Sequence, residues 1–186
     1  MKLEHVLLGM VAMRPCTGYD LKRWLDSEMG RMLRIRTQQS QVYRTLNRMC
    51  ADGWVRYDVQ RNEGRPDAKV YFATEAGERE LRERLAVPYA PSPDFGDPEF
   101  LVRYTFVIFL DRDEQVRLVQ TELDARLAQL DRFRAREVRD EPWLPGVDQP
   151  RMAQILDHVH GYKDLALDTH VRWLKQTLAE LTEETQ

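Results

Sequence analysis

Cysteine is nearly absent. Cys16 and Cys50 are the two in 186 residues, too few for a disulfide framework and without the CxxC spacing that suits zinc. Both read as reduced thiols, and Cys50, on the inner side of its helical pattern, reads as a small buried hydrophobe rather than a redox switch. No run approaches about 18 apolar residues, the length that crosses a bilayer. The opening stretch "MKLEHVLLGMVAM" carries Glu4 and His5 inside what would be a signal's apolar region, so the chain reads as cytoplasmic, with no membrane partner. Catalytic signatures are missing as well: there is no Gly-rich phosphate loop, no G-x-S-x-G, no HExxH and no Cys/His pair at a useful spacing. His158, His160 and His170 share one stretch, yet no two stand four apart, so they do not align on one helix face as metal ligands do. These gaps argue against an enzyme, a metal site and a cofactor.

What is present is a globular composition, 42% apolar and 32% charged, which excludes disorder over the whole length. The net charge of −3 looks unsuited to nucleic acid until it is divided along the chain. Residues 1–86 hold 16 Lys+Arg against 12 Asp+Glu, whereas residues 87–186 hold 12 against 19. Within residues 31–69 the balance is nine against four, which makes that stretch the best suited to a polyanion.

"VPYAPSPDFGDP", residues 87–98, contains four of the nine prolines and separates the basic part from the acidic one. Proline stops helices and biases its predecessor toward extended backbone, so the expected division is a domain of residues 1–86, a linker of residues 87–98 and a domain of residues 99–186. In the first, Leu3 to Met13 predicts a buried helix stopped at Pro15. A second helix is expected after Thr17, with Leu21, Trp24 and Leu25 inward and an end near Gly30. "TQQSQVYRTLNRMCADGW", residues 37–54, predicts a third, terminated by Gly53. "WVRYDVQ" and "KVYFAT", joined by the turn-prone "RNEGRPDA", predict a β-hairpin, and Thr74 the N-cap of a charged fourth helix, "EAGERELRERLA".

Helix, helix, helix, hairpin, helix is the order of a winged helix-turn-helix. The third helix fits the role of reader. Val42, Leu46 and Met49 recur at spacings of four and three and face the core, while Gln38, Gln39, Gln41, Arg44, Thr45, Asn47 and Arg48 are expected outside. Such a helix can enter a major groove ~12 Å wide, where Gln and Asn pair with adenine and Arg with guanine. Tyr43 is expected either to pack on the scaffold or to hydrogen-bond a phosphate. Arg65 and Lys69, with Arg61, place positive charge on the hairpin within reach of phosphate or the minor groove.

The second domain reads as helical. Asp97–Pro98 marks one start and "DRDE" at 111–114 another, followed by a stripe of Val116, Val119, Leu123, Leu127 and Leu130. A final helix from about Arg151 to Glu183 is apolar on two sides, Ile155, Val159, Tyr162 and Ala166 on one and Leu167, Val171, Leu174, Leu178 and Leu181 on the other. So much apolar surface calls for a second copy as cover, and Tyr162, Val171, Leu174, Leu178 and Leu181 are the candidate dimer contacts. The fold class is therefore mainly α with a small β-hairpin, an N-terminal winged helix-turn-helix plus a C-terminal antiparallel helical dimerisation domain.

The blocks "LLGMVAMRPCTGYDLKRWL", "QSQVYRTLNRMCADGWV" and "KVYFATEAGERELRERL" resemble the signature blocks of the PadR-type transcriptional regulators. "QVYRTLNRM" with "EGRPDAKVYFAT", plus about 100 helical residues, resembles more narrowly the virulence-activator subfamily with a long C-terminal helical domain. Most PadR proteins carry Gly-Ser and a proline around the tyrosine of the third helix, where this chain has Ser40, Gln41 and Arg44, a departure that favours the subfamily. The resemblance implies a homodimer joined by its C-terminal helices that binds double-stranded DNA at an inverted-repeat operator through the third helix and wing. It also suggests an aromatic effector pocket, for which Trp143 and Trp173 are candidates while Trp24 and Trp54 read as core. The alternative is a helical protein-interaction adaptor without DNA binding.

Overall fold

Seven consecutive residues of helix α1 (Leu3–Met13), His5 to Val11, are buried, so this helix is enclosed on all sides over almost two turns. The computed structural model describes residues 1–61, 67–93, 95–135 and 146–183. After α1 come strand β1 (Cys16–Thr17), helices α2 (Gly18–Leu25), α3 (Glu28–Met32) and α4 (Gln39–Ala51), strands β2 (Val55–Gln60) and β3 (Ala68–Ala73), and helix α5 (Glu75–Ala86). Helices α4 and α5 and strand β3 all pack on α1. The hairpin is as expected, with Val55 opposite Ala73 through Gln60 opposite Ala68. It gains an unexpected third strand, because Cys16 and Thr17 pair with Tyr71 and Val70, giving the order β1-β3-β2. Two residues after a proline carry no alternation to read. The pairing makes β3 central, which is why Tyr71 is buried while most of β2 is exposed.

Local chemistry sets the helix ends. Thr17 caps α2 with a full capping box: its hydroxyl accepts from the Asp20 N–H at 3.1 Å, and the Asp20 carboxylate accepts from the Thr17 N–H at 3.0 Å and from its O–H at 2.7 Å. The second helix ends at Leu25 rather than near Gly30. Ser27 donates to the Trp24 carbonyl at 2.6 Å and a separate turn, α3, follows. Helix α4 ends in a Schellman motif, with Gly53 at φ 74°, its N–H on the Cys50 carbonyl at 3.1 Å and the Trp54 N–H on the Met49 carbonyl at 2.9 Å. Thr74 accepts from the Gly77 N–H at 3.1 Å, so the expected N-cap of α5 is present.

The chain divides differently from the expectation. One unit combines Met1–Tyr89 with Gly96–Asp111, the other Ala90–Phe95 with Arg112–Gln186. This division differs from the one expected at residue 99, and the reason is apolar burial. Helix α6 (Glu99–Thr105) and a 3-10 turn (Val107–Phe109) bring Val102, Phe106 and Leu110 into the same core as Val6, Leu7 and Leu46. Residues 90–95, in turn, belong to the second unit, where Arg126 and Gln129 donate to the carbonyls of Ser92 and Pro93.

In that second unit helix α7 (Arg112–Arg134) packs on α8 (Gln149–Glu183). The stripe expected on α7 is shifted: Val119, Leu123 and Leu130 are buried, Val116 and Leu127 only half, and Glu122, Arg126 and Gln129 lie inside instead. Charge pairing and hydrogen bonding permit this, because Glu122 and Arg126 form an ion pair at 3.1 Å and Arg126 also donates to the carbonyl of Ser92. On α8, Leu167, Val171, Leu174 and Thr177 are buried. Val171 and Leu174, expected as dimer contacts, are therefore taken up inside the unit, Leu178 and Leu181 are half-buried, and Tyr162 is 75% exposed along with Ile155, Val159 and Leu165. Trp173 stacks on His170, and Trp143 lies outside the described residues. Among the described residues no helix is long and apolar enough to cross a membrane.

Thr17 holds the Asp20 carboxylate below its ordinary range, first by the side-chain and then by the backbone hydrogen bond. A depressed carboxylate adds stability that is complete above its unfolded value and lost as the pH falls through the folded one. Thr17→Ala should cost about 1 kcal/mol at neutral pH, and the difference should shrink in acid below about pH 4. Urea melts of both proteins at pH 7 and pH 3 check this; a gap that is as large at pH 3 assigns the loss to packing instead.

Candidate nucleic-acid interface

Helix α4 divides into two faces. Val42, Leu46 and Met49 are fully buried where it meets α1, α2 and β2. Gln38, Gln39, Gln41, Tyr43, Arg44, Asn47 and Arg48 are all exposed. Thr45 departs from the expectation: it is buried, because it stands three after Val42 and four before Met49 and so falls within the apolar stripe.

The first turn is organised by the backbone and by Thr37. The Gln38 carbonyl accepts from the N–H groups of Gln41 and Val42, at 3.0 and 3.2 Å. Thr37 donates to Gln41 Oε1 at 2.9 Å, which orients that amide. Arg48 is not independent: its guanidinium lies 3.0 Å from Glu4 Oε2 on α1, so part of its charge is answered within the protein. Arg44 makes no such ion pair among the described residues. It is the freest guanidinium on the face.

Lys69 lies on β3 two residues before the buried Tyr71, hence on the same side of the sheet, with Nζ 4.1 Å from the centre of the Tyr57 ring. Lys69, Tyr43, Asn47, Tyr71, Thr17 and Tyr19 line one groove of about 440 Å3. Structure thus brings together the third-helix candidates Tyr43 and Asn47 with the wing candidate Lys69. Arg65 lies outside the described residues; Arg61, at the end of β2, is exposed.

Three exposed side chains lie outside the residues singled out from the sequence. Tyr19, in the first turn of α2, is 63% exposed and lines the groove. Arg34 and Arg36 are exposed in the loop that leads into α4, and Arg34 holds φ 52°, unusual for a residue with a side chain. The local excess of Lys+Arg was the signal for those two; nothing marked Tyr19.

Both thiols are held protonated at neutral pH. Burial, and then the neighbouring Asp20 carboxylate, pushes Cys16 up to about 11, and burial raises Cys50 as well. Among the described residues no group of three or more His, Cys, Asp or Glu side chains is placed to hold a metal ion.

Three helices around a common core, a hairpin beside them and a polar helix face on the basic side define a winged helix-turn-helix. Residues 7–83 match the transcriptional regulator PadR-like family. It is 26% identical over 128 residues to the negative transcriptional regulator PadR of Bacillus subtilis, covering 69% of each chain. It is 36% identical over 92 residues to a probable transcriptional regulator of Mycobacterium tuberculosis, a match that spans 50% of this chain and 48% of that one. The crystal structure of Bacillus subtilis PadR in complex with operator DNA covers 96% of this chain and 98% of its own at 22% identity, with a TM-score of 0.46.

The two faces of α4 should respond oppositely to truncation. Leu46→Ala removes a fully buried side chain and should cost about 2 to 5 kcal/mol. Arg44→Ala should change stability by no more than about 0.5 kcal/mol. Thermal and urea unfolding of both variants decide it, and a destabilising Arg44→Ala would show that the guanidinium serves the fold.

Proposed function

We propose that the protein is a sequence-specific DNA-binding regulator that works in the cytoplasm as a homodimer and reads an inverted-repeat operator with α4 and the wing. The observation that carries this reading is the outer face of α4. Its inner face is locked into the core, so Arg44 and Asn47, with Gln41 oriented by Thr37, stand on a rigid support. Arg44 suits the O6 and N7 acceptors of guanine, and Gln41 and Asn47 suit adenine. Tyr43, Arg48 and Lys69, with Gln38 and Gln39 at the helix start, suit phosphate oxygens, and Arg65 the narrow groove beside the wing.

The homodimer rests on α8. Ile155, Val159 and Tyr162 form an i, i+4, i+7 stripe that nothing among the described residues covers, and Leu165 extends it. A second copy of the same stripe is a natural cover, and Leu178 and Leu181, half-buried on the other side of α8, are further candidate contacts. Val171 and Leu174 contribute by fixing α8 to α7.

Selection of bound duplexes from a randomised library tests the reading directly; recovery of no preferred sequence would overturn it. On the selected duplex Arg44→Ala should cost about 1 to 3 kcal/mol and much less on random DNA. Lys69→Ala should weaken both alike and flatten the plot of log affinity against log salt by about one unit. Ultracentrifugation should find a dimer at micromolar concentration and a folded monomer when Val159 and Tyr162 are both replaced by Glu. A wild-type monomer would sink the two-fold reader.

A further inference from the structure

Gly18 needs an explanation. It opens α2, where glycine is a poorer helix former than alanine, and its φ is not left-handed, so the backbone does not demand it. The reason lies across the groove. A Cβ on Gly18 would stand 2.6 Å from Cε1 of Tyr43, 2.9 Å from Cζ and 3.2 Å from Cδ1, well inside van der Waals contact.

We propose that Gly18 is a positioning residue for Tyr43: its bare Cα is the seat on which the tyrosine ring lies, and the seat aims the phenol into the groove beside Asn47 and Lys69. The inference rests on the DNA-reading function above and names how one contact of that site is held. Neither partner can retreat. The seat is fixed by the Thr17–Asp20 capping box and by the pairing of Thr17 with Val70. Tyr43 springs from a helix whose neighbouring residue, Val42, and next inward residue, Leu46, are fully buried. Only the ring can move, and 37% of Tyr43 already faces solvent, so its way out is into the groove.

A phenol held this way has lost its rotamer freedom before a partner arrives, so a phosphate or base edge meets a donor already in place. A methyl at position 18 would swing the ring off its seat and carry the hydroxyl with it. The fold would lose little, since the displaced group is the far end of a half-exposed side chain.

The test is a double-mutant cycle with Gly18→Ala and Tyr43→Ala, reading affinity for the duplex selected from the randomised library at fixed salt. Gly18→Ala should weaken binding about tenfold, the scale of one hydrogen bond to a charged group. In the Tyr43→Ala background, where no ring obstructs the methyl, the same change should cost less than about twofold. A loss of equal factor with and without the ring would overturn the proposal, as would wild-type affinity in Gly18→Ala. In DNA-free protein labelled with 13C-tyrosine, the Tyr43 resonance, identified by its absence in Tyr43→Phe, should shift in Gly18→Ala while that of Tyr71 stays; an unmoved Tyr43 signal overturns the seat. If Gly18→Ala unfolds and the double variant does too, glycine is required by the fold and the seat is likewise rejected. Should the wild type bind no duplex, the DNA-reading function fails and the resonance still judges the seat.

Discussion

Helix α1 has to be kept dry, and the first unit is arranged to do so. Its seven buried residues face every direction, and each buried Leu or Val is worth about 1.5 to 3 kcal/mol only if some other element covers it. Helix α4 supplies one wall, α5 and β3 others. Gly9 lets the Phe106 ring lie against the backbone, since a Cβ there would sit 2.5 Å from the ring. Even the polar member of α1 is turned to this use: His5 Nε2 lies 3.1 Å from Glu80 Oε1 on α5, and its ring stacks near Trp54.

Because α1 demands the apolar stripe of α4, the orientation of α4 is settled by the core, and whatever the other face carries is presented in a fixed direction. Polar interactions then trim the presentation. The exposed Arg48–Glu4 pair adds little stability but draws one guanidinium toward α1, leaving Arg44 as the charge that stands clear. The second unit uses charge differently. Glu122 and Arg126 are buried together, where an ion pair seldom gains stability over apolar packing but tolerates few alternative arrangements.

The helices of the first unit were readable because their apolar residues keep a 3.6-residue period and their ends carry caps that act locally: Thr74, Gly53 and the Pro15 stop. What was not readable depends on partners distant in sequence. Cys16–Thr17 becomes a strand only because Tyr71 and Val70 lie beside it, and the breaks around Ser27 depend on a single side-chain hydrogen bond. On α7, Glu122, Arg126 and Gln129 fall outside the apolar stripe, and the burial of Arg126 and Gln129 depends on the carbonyls of residues 92 and 93 that receive them. For the interface, residue type and helical phase picked out the outer face of α4, with Thr45 the one misjudged position. They gave no sign of Tyr19, Gly18 or the Glu4 partner of Arg48, which only the meeting of α1, α2 and α4 brings about.

The path of the chain between its two units has a consequence for how such a protein can be taken apart. A cut in the proline-rich stretch looks natural from composition, yet a fragment ending there would lack Val102, Phe106 and Leu110 and would leave the Gly9 side of α1 open to water. The first unit is therefore not a detachable cassette. Grafted elsewhere as a fusion partner, it would have to bring along residues to about Asp111, with the 90–95 excursion intact, and a lineage that exchanged the C-terminal helices by recombination would have to break the chain after that point rather than at the prolines.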